Sequence, residues 1–214
     1  MIFPSILYIL YPMLRQIPNI LTGGRLVLSV VFLTMVFFEP KLTAGWDKSL
    51  YLDVAFIIFV IAGLTDIIDG PIARKLNVAS KFGRMVDPLA DKVLICGAFV
   101  VFALIGQPTL FGFTKARLAV IQWGFAGIII ARELFVTILR HYSEARGIKF
   151  PATISGKLKM FVQTFAVGTV IVKMAHVQTP LWGCWFTTIT YIVTVIITVV
   201  SGFLSMKKLK GPAI

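Results

Sequence analysis

The chain has 214 residues, a formal net charge of +12 and two cysteines. Hydrophobic residues make up 58% of it and charged residues 14%. A soluble domain carries about a quarter charged residues, so a soluble globular enzyme and a disulfide-built module are both excluded. Apolar runs long enough to cross a bilayer recur from end to end, which predicts one all-α integral membrane domain with no soluble module. Cys96 and Cys184 both fall in apolar sequence and read as small hydrophobes.

In chain order, residues 1–16 are apolar and aromatic, interrupted by Pro4 and Pro12, with Arg15 as the only charge. They lack the basic start and small-residue cleavage site of a signal peptide. The expectation is an N-terminal interfacial helix over 1–16, lying on the membrane ahead of a transmembrane domain over 17–214; an uncleaved signal-anchor is the alternative. Six transmembrane helices are expected over 20–38, 50–73, 83–105, 118–140, 154–174 and 181–206. Basic residues orient them. Arg15, Arg74, Lys75, Lys81, Arg84, Arg140, Arg146, Lys149, Lys157, Lys159, Lys207, Lys208 and Lys210 gather on one side, and Lys41, Lys48, Lys115, Arg117 and Lys173 on the other. The richer side is cytoplasmic, so both termini are cytoplasmic. The positive charge is thus topology and attraction to anionic lipid, not a nucleic-acid surface.

The first span opens on Pro18-Asn19-Ile20-Leu21-Thr22-Gly23-Gly24-Arg25. Asn19 and Thr22 suit a helix start. Arg25 sits about a turn inside the membrane, where a charge needs a purpose.

The second and third spans hold the densest polar feature. Asp66 and Asp69 lie three apart, Asp87 and Asp91 four apart, so each pair shares a helix face. The short polar segment between the spans joins antiparallel neighbours, which sets the two pairs against each other. Four of the chain's nine acidic residues are spent here. Four clustered carboxylates repel and resist ionisation unless cations join them. Hard divalent ions with oxygen ligands, two Mg²⁺ or Mn²⁺, balance the charge. Two such ions suit displacement at phosphorus. Gly70 and Gly83 flank the acidic pairs, where a ligand can approach a backbone that has no side chain, although glycine is also common where membrane helices touch. Arg74 is placed to offset the charge of a diphosphate.

The fourth span ends in Ala131-Arg132-Glu133-Leu134, followed by Leu139-Arg140. Arg132 lies two turns inside, and Glu133 suits a structural pair with a basic residue. The fifth span starts Ser155-Gly156-Lys157-Leu158-Lys159. Two lysines two apart point in roughly opposite directions, so one faces the cavity and the other reaches for headgroups. Arg132, Arg140 and one lysine, assigned as Lys157, form a second anion site, which suits an acceptor carrying a phosphate. The sixth span is a threonine- and valine-rich apolar helix. His176 reads as an interfacial polar residue without a chemical task.

The pattern Asp66-x2-Asp69-Gly70-x2-Ala73-Arg74-x8-Gly83-x3-Asp87-x3-Asp91 resembles the signature of the CDP-alcohol phosphotransferases, membrane enzymes of phospholipid synthesis. The opening Pro-Asn segment, the Ala-Arg-Glu-Leu segment, Gly156-Lys-Leu-Lys159 and Gln163 resemble the branch that makes phosphatidylglycerophosphate. That resemblance implies transfer of a phosphatidyl group from CDP-diacylglycerol to glycerol 3-phosphate, with release of CMP. It implies metal ligation by Asp66, Asp69, Asp87 and Asp91, with Asp91 also the general base. It implies that Asn19, Thr22, Gly70, Ala73, Arg74, Ser80 and Gly83 line the CDP-diacylglycerol site, Ser80 being equally readable as a plain loop residue. A homodimer is also implied. No organelle presequence is visible, so a bacterial inner membrane is the expectation, and the basic-residue count turns the active site to the cytoplasm. Serine, inositol phosphate and phosphatidylglycerol are alternative acceptors within the family. An ion-coupled transporter is the alternative outside it, but neither an inverted repeat nor a matched pair of broken helices is visible.

Overall fold

The computed structural model describes residues 20, 22–39, 47–75, 81–146, 154–177 and 179–210, with the backbone alone given over 66–75 and 81–88 and at 144, 154 and 208–210. Among the described residues the chain is all-helical, with six helices and no strand. They are α1 (Thr22–Glu39), α2 (Lys48–Lys75), α3 (Lys81–Ile105), α4 (Lys115–Ala145), α5 (Ile154–His176) and α6 (Leu181–Lys210). Five are long and apolar enough to cross a membrane: α1, α2 over Lys48–Thr65, α4, α5 and α6. Each expected span matches one helix to within a few residues. The largest difference is the end of α4, which runs past Arg140 to Ala145. Hydropathy marks where the apolar stretch stops, whereas a helix can continue through polar residues beyond it. The expected interfacial helix over 1–16 lies outside the described residues.

Local chemistry sets several helix ends. Asp47 caps α2: its Oδ1 accepts from the Ser49 amide at 3.0 Å and from the Ser49 hydroxyl at 2.6 Å. That hydroxyl contact, then the amide, holds the Asp47 carboxyl below the usual aspartate range. Gly106, at φ +72, closes α3. Its amide reaches the Ala103 carbonyl and the Gln107 amide reaches the Phe102 carbonyl, the paired bonds of a left-handed glycine C-cap. In α6 the threonines at 187, 188, 190 and 194 each donate a hydroxyl to the carbonyl four residues back, so polar side chains sit in an apolar span with their donors satisfied. Pro71 in α2 and Pro88 in α3 lie within helix and offer no N–H to the carbonyls of Ile67 and Arg84.

Helix α5 packs against α2 and α6, and α4 packs against α3 and α6; α3 also touches α5. Helix α1 meets α2 through Phe32 and Phe59, whose ring centroids are 5.1 Å apart. It meets α3 where Leu33 covers Gly97; a Cβ there would come within 2.7 Å of Leu33 Cδ1. At the centre, Phe125 stacks on Tyr191 at 3.9 Å and Phe99 meets Phe125 edge-on at 4.9 Å, which joins α3, α4 and α6. Lipid is as apolar as these side chains, so close packing and polar contacts, rather than escape from water, hold the helices together.

The polar contacts sort to the two ends of the bundle. At one end Lys48 pairs with Glu39 at 2.7 Å, Tyr51 donates to the Met35 carbonyl at 3.2 Å, and His176 meets Asp53 at 2.8 Å. His176 therefore bridges α5 to α2, a contact that hydropathy alone does not reveal. The other end holds the site.

Candidate active site

Four aspartates define this end of the bundle along the backbone. Asp66 and Asp69 lie in the last turns of α2, and Asp87 and Asp91 in the first turns of α3. Both spacings are therefore helical spacings. Asp91 has a described side chain. It is partly buried and takes an ion pair from Arg25 on α1, with Nη1 3.4 Å from Oδ1. Arg25 is almost fully buried, and Thr22, one turn before it, is buried as well. The sequence flagged Arg25 as a charge inside the membrane without giving it a partner; Asp91 is that partner.

Lys92 follows Asp91 and turns toward α4, where its Nζ donates to Thr137 Oγ1 at 2.6 Å. Thr137 donates in turn to the Glu133 carbonyl at 2.6 Å. The Glu133 carboxylate takes two cations. Arg132 Nη1 lies 3.2 Å from Oε1, and Lys159 Nζ on α5 lies 2.5 Å from the same oxygen. Arg132 Nη2 also donates to Ser201 Oγ on α6 at 2.5 Å. Gln163 donates to Thr198 Oγ1 at 3.3 Å and ties α5 to α6 one turn deeper. Each contact pairs a polar group that would be costly to leave alone at this depth.

The expected site residues thus divide. Asp91 and Thr22 sit beside Arg25. Arg132 lies in the neighbouring cluster with Glu133. Arg140 is exposed farther along α4. Of the two lysines that open α5, Lys157 is exposed and Lys159 is buried. Only the backbone is described at Asp66, Asp69, Gly70, Ala73, Arg74, Gly83 and Asp87, and Asn19 and Ser80 lie outside the described residues altogether. Among the described residues no three histidines, cysteines or acids gather as a metal site. Glu133, Lys159, Lys92 and Ser201 were not singled out as site residues. The available signal was that each is polar within a span that is otherwise apolar.

The described cluster sets four cations, Arg25, Lys92, Arg132 and Lys159, against two carboxylates, Asp91 and Glu133.

The sequence profile of CDP-alcohol phosphatidyltransferases matches residues 15–201. The chain belongs to that family. This CDP-alcohol phosphatidyltransferase is 36% identical over 162 residues to a Mycobacterium tuberculosis protein named "Probable phosphatidylglycerophosphate synthase", covering 76% of this chain and 68% of that one. It is 32% identical over 193 residues to a Bacillus subtilis protein named "CDP-diacylglycerol--glycerol-3-phosphate 3-phosphatidyltransferase", covering 88% of this chain and 92% of the relative. A Rickettsia typhi protein of the same name is 31% identical over 158 residues, covering 74% of this chain and 77% of the relative. The family match takes in both acidic pairs, Arg25, the Arg132–Glu133–Lys159 cluster and Ser201.

Proposed function

We propose that the chain transfers the phosphatidyl group of CDP-diacylglycerol to glycerol 3-phosphate, giving phosphatidylglycerophosphate and CMP. The observation that carries this reading is the two helix-spaced aspartate pairs at one end of the bundle, within the span matched to a phosphatidyltransferase family. The printed names of the relatives supply the acceptor.

The donor set fits hard divalent cations, since four carboxylates on two helix ends offer only oxygen. Asp66, Asp69, Asp87 and Asp91 would hold two ions, Mg²⁺ or Mn²⁺. Bound there, such ions supply charge neutralisation at the reacting phosphate. The rest falls to the chain's own residues. Asp91 accepts the proton of the acceptor hydroxyl. The hydroxyl oxygen forms its bond to the diacylglycerol-bearing phosphorus, and the bond from that phosphorus to the CMP oxygen breaks. Arg25 orients Asp91. Asn19, Thr22, Gly70, Ala73, Arg74, Ser80 and Gly83 line the CDP-diacylglycerol site, and Arg132, Arg140 and Lys157 bind the acceptor phosphate.

In this reading α3 is a sixth span and residues 1–16 form the interfacial helix preceding a 17–214 domain. The basic end faces the cytoplasm of a bacterial cell, both termini lie there, and the enzyme is a homodimer. Support for the membrane topology comes from the basic loops and from five helices apolar enough to span.

The test is CMP release by purified protein in detergent, with CDP-diacylglycerol, Mg²⁺ or Mn²⁺, and each acceptor in turn. Release driven by glycerol 3-phosphate and by none of serine, inositol phosphate or phosphatidylglycerol is expected. Release driven by another acceptor instead would reassign the acceptor pocket, and no metal-dependent release would sink the transferase reading.

A further inference from the structure

The buried contacts around Glu133 set Lys159 apart from exposed Lys157, a choice that sequence spacing leaves open. Arg132 and Lys159 both reach the same carboxylate oxygen, Arg132 Nη1 at 3.2 Å and Lys159 Nζ at 2.5 Å. The three side chains are each close to nine-tenths buried. Two cations against one carboxylate leave a single net positive charge.

The geometry says where that charge resides. The Lys159 ammonium makes the shorter contact and is committed to Glu133. Arg132 is held at two nitrogens, by Glu133 at Nη1 and by Ser201 at Nη2. Its third nitrogen, Nε, is buried and has no hydrogen-bond partner among the described residues. A buried donor without a partner is uncommon and points to a ligand group that completes it.

We infer that Lys159 and Glu133 form a neutralising pair that leaves the Arg132 charge available to the acceptor's phosphate, so that Lys159 acts through Glu133 and does not itself touch the acceptor. Without Lys159, Glu133 would cancel Arg132, and an incoming phosphomonoester would meet a neutral pair. Lys159 and Glu133 are thus positioning residues and Arg132 is the contact. This rests on the glycerol 3-phosphate reading. It goes beyond it by giving the buried lysine of α5 a task separate from that of exposed Lys157.

The test is a double-mutant cycle on full-length protein in detergent, read as KM for glycerol 3-phosphate, KM for CDP-diacylglycerol and kcat. Lys159→Met is expected to raise KM for glycerol 3-phosphate about tenfold or more, leaving KM for CDP-diacylglycerol within about twofold, because the lost attraction is specific to one substrate. Lys159→Met with Glu133→Gln removes both charges of the pair, and KM for glycerol 3-phosphate is expected to return to within about threefold of wild type. A double variant as impaired as Lys159→Met would mean that Lys159 touches the phosphate, and would overturn the inference. So would a Lys159→Met enzyme with unchanged KM for glycerol 3-phosphate, or parallel changes in both KM values. If Lys159→Met alone does not fold, the double variant still decides, since a buried ion pair exchanged for neutral side chains of similar size is tolerated. A wild-type enzyme inactive with glycerol 3-phosphate overturns the proposed function and this inference together. An active wild type with an impaired double variant overturns this inference alone.

Discussion

Arg25 Nη1 lies 3.4 Å from Asp91 Oδ1, which ties the first helix to the aspartate proposed as general base. The partners are 66 residues apart in sequence, and the arginine is the more deeply buried of the two. The contact fixes that carboxylate against the first helix.

Replacing Asp91 by asparagine keeps the shape and one oxygen for Arg25 but removes the charge and the proton acceptor. CMP release should fall to background while CDP-diacylglycerol binding is largely retained. Asp91→Ala should lose activity and also about 1–3 kcal/mol of stability, because a deeply buried cation loses a partner. Activity, donor binding and thermal unfolding separate the two variants. Turnover by Asp91→Asn would remove the general-base assignment.

The acidic pairs predict an absolute need for divalent metal. Treatment with a chelator should abolish CMP release, and Mg²⁺ or Mn²⁺ should restore it. Asp66→Asn and Asp69→Asn should weaken Mn²⁺ binding, measured by titration without substrate. Unchanged Mn²⁺ affinity in both variants would argue against their role as ligands.

Much of this architecture was legible in the sequence because hydropathy and aspartate spacing are local signals. The starts of α5 at Ile154 and α6 at Leu181 and the end of α3 at Ile105 match the sequence expectation, and most other ends shift outward where polar residues extend a helix. What was hidden depends on tertiary contact. Spacing shows that Lys157 and Lys159 diverge, but only the packing of α5 against α6 and the reach of Lys159 to Glu133 on α4 show that Lys159 turns inward. Arg25 stood out as an intramembrane charge, yet its partner lies on a helix two elements away. His176 reads as a lone interfacial residue until the fold sets it beside Asp53.

The contact that brings Arg25 to Asp91 depends on how closely α1 approaches α3. Gly97 lies six residues beyond Asp91, and Leu33 eight residues beyond Arg25. A methyl at position 97 would meet the end of the Leu33 side chain, which can move aside. Gly97→Ala should therefore cost little. Gly97→Val overfills the contact and should cost about 1–3 kcal/mol. It should lower activity with stability as Arg25 is drawn from Asp91. Adding Leu33→Ala should recover both in an unfolding and CMP-release series; full activity in Gly97→Val would show that the approach does not control the site.

The two side-chain contacts at the opposite end should behave differently from each other. Both partners of Asp53–His176 are about half exposed, at 47% and 49%. Exposed pairs contribute little, so Asp53→Asn should change stability by less than about 1 kcal/mol. Lys48 instead pairs with Glu39, whose side chain is only 3% exposed. Lys48→Met takes a counter-charge from a buried carboxylate and should destabilise more, approaching about 3 kcal/mol. Neither residue lies near the aspartates, so kcat per folded enzyme should be unchanged in both variants. Thermal unfolding and CMP release at saturating substrate provide the check. A larger loss of stability in Asp53→Asn than in Lys48→Met would reverse the ranking drawn from burial.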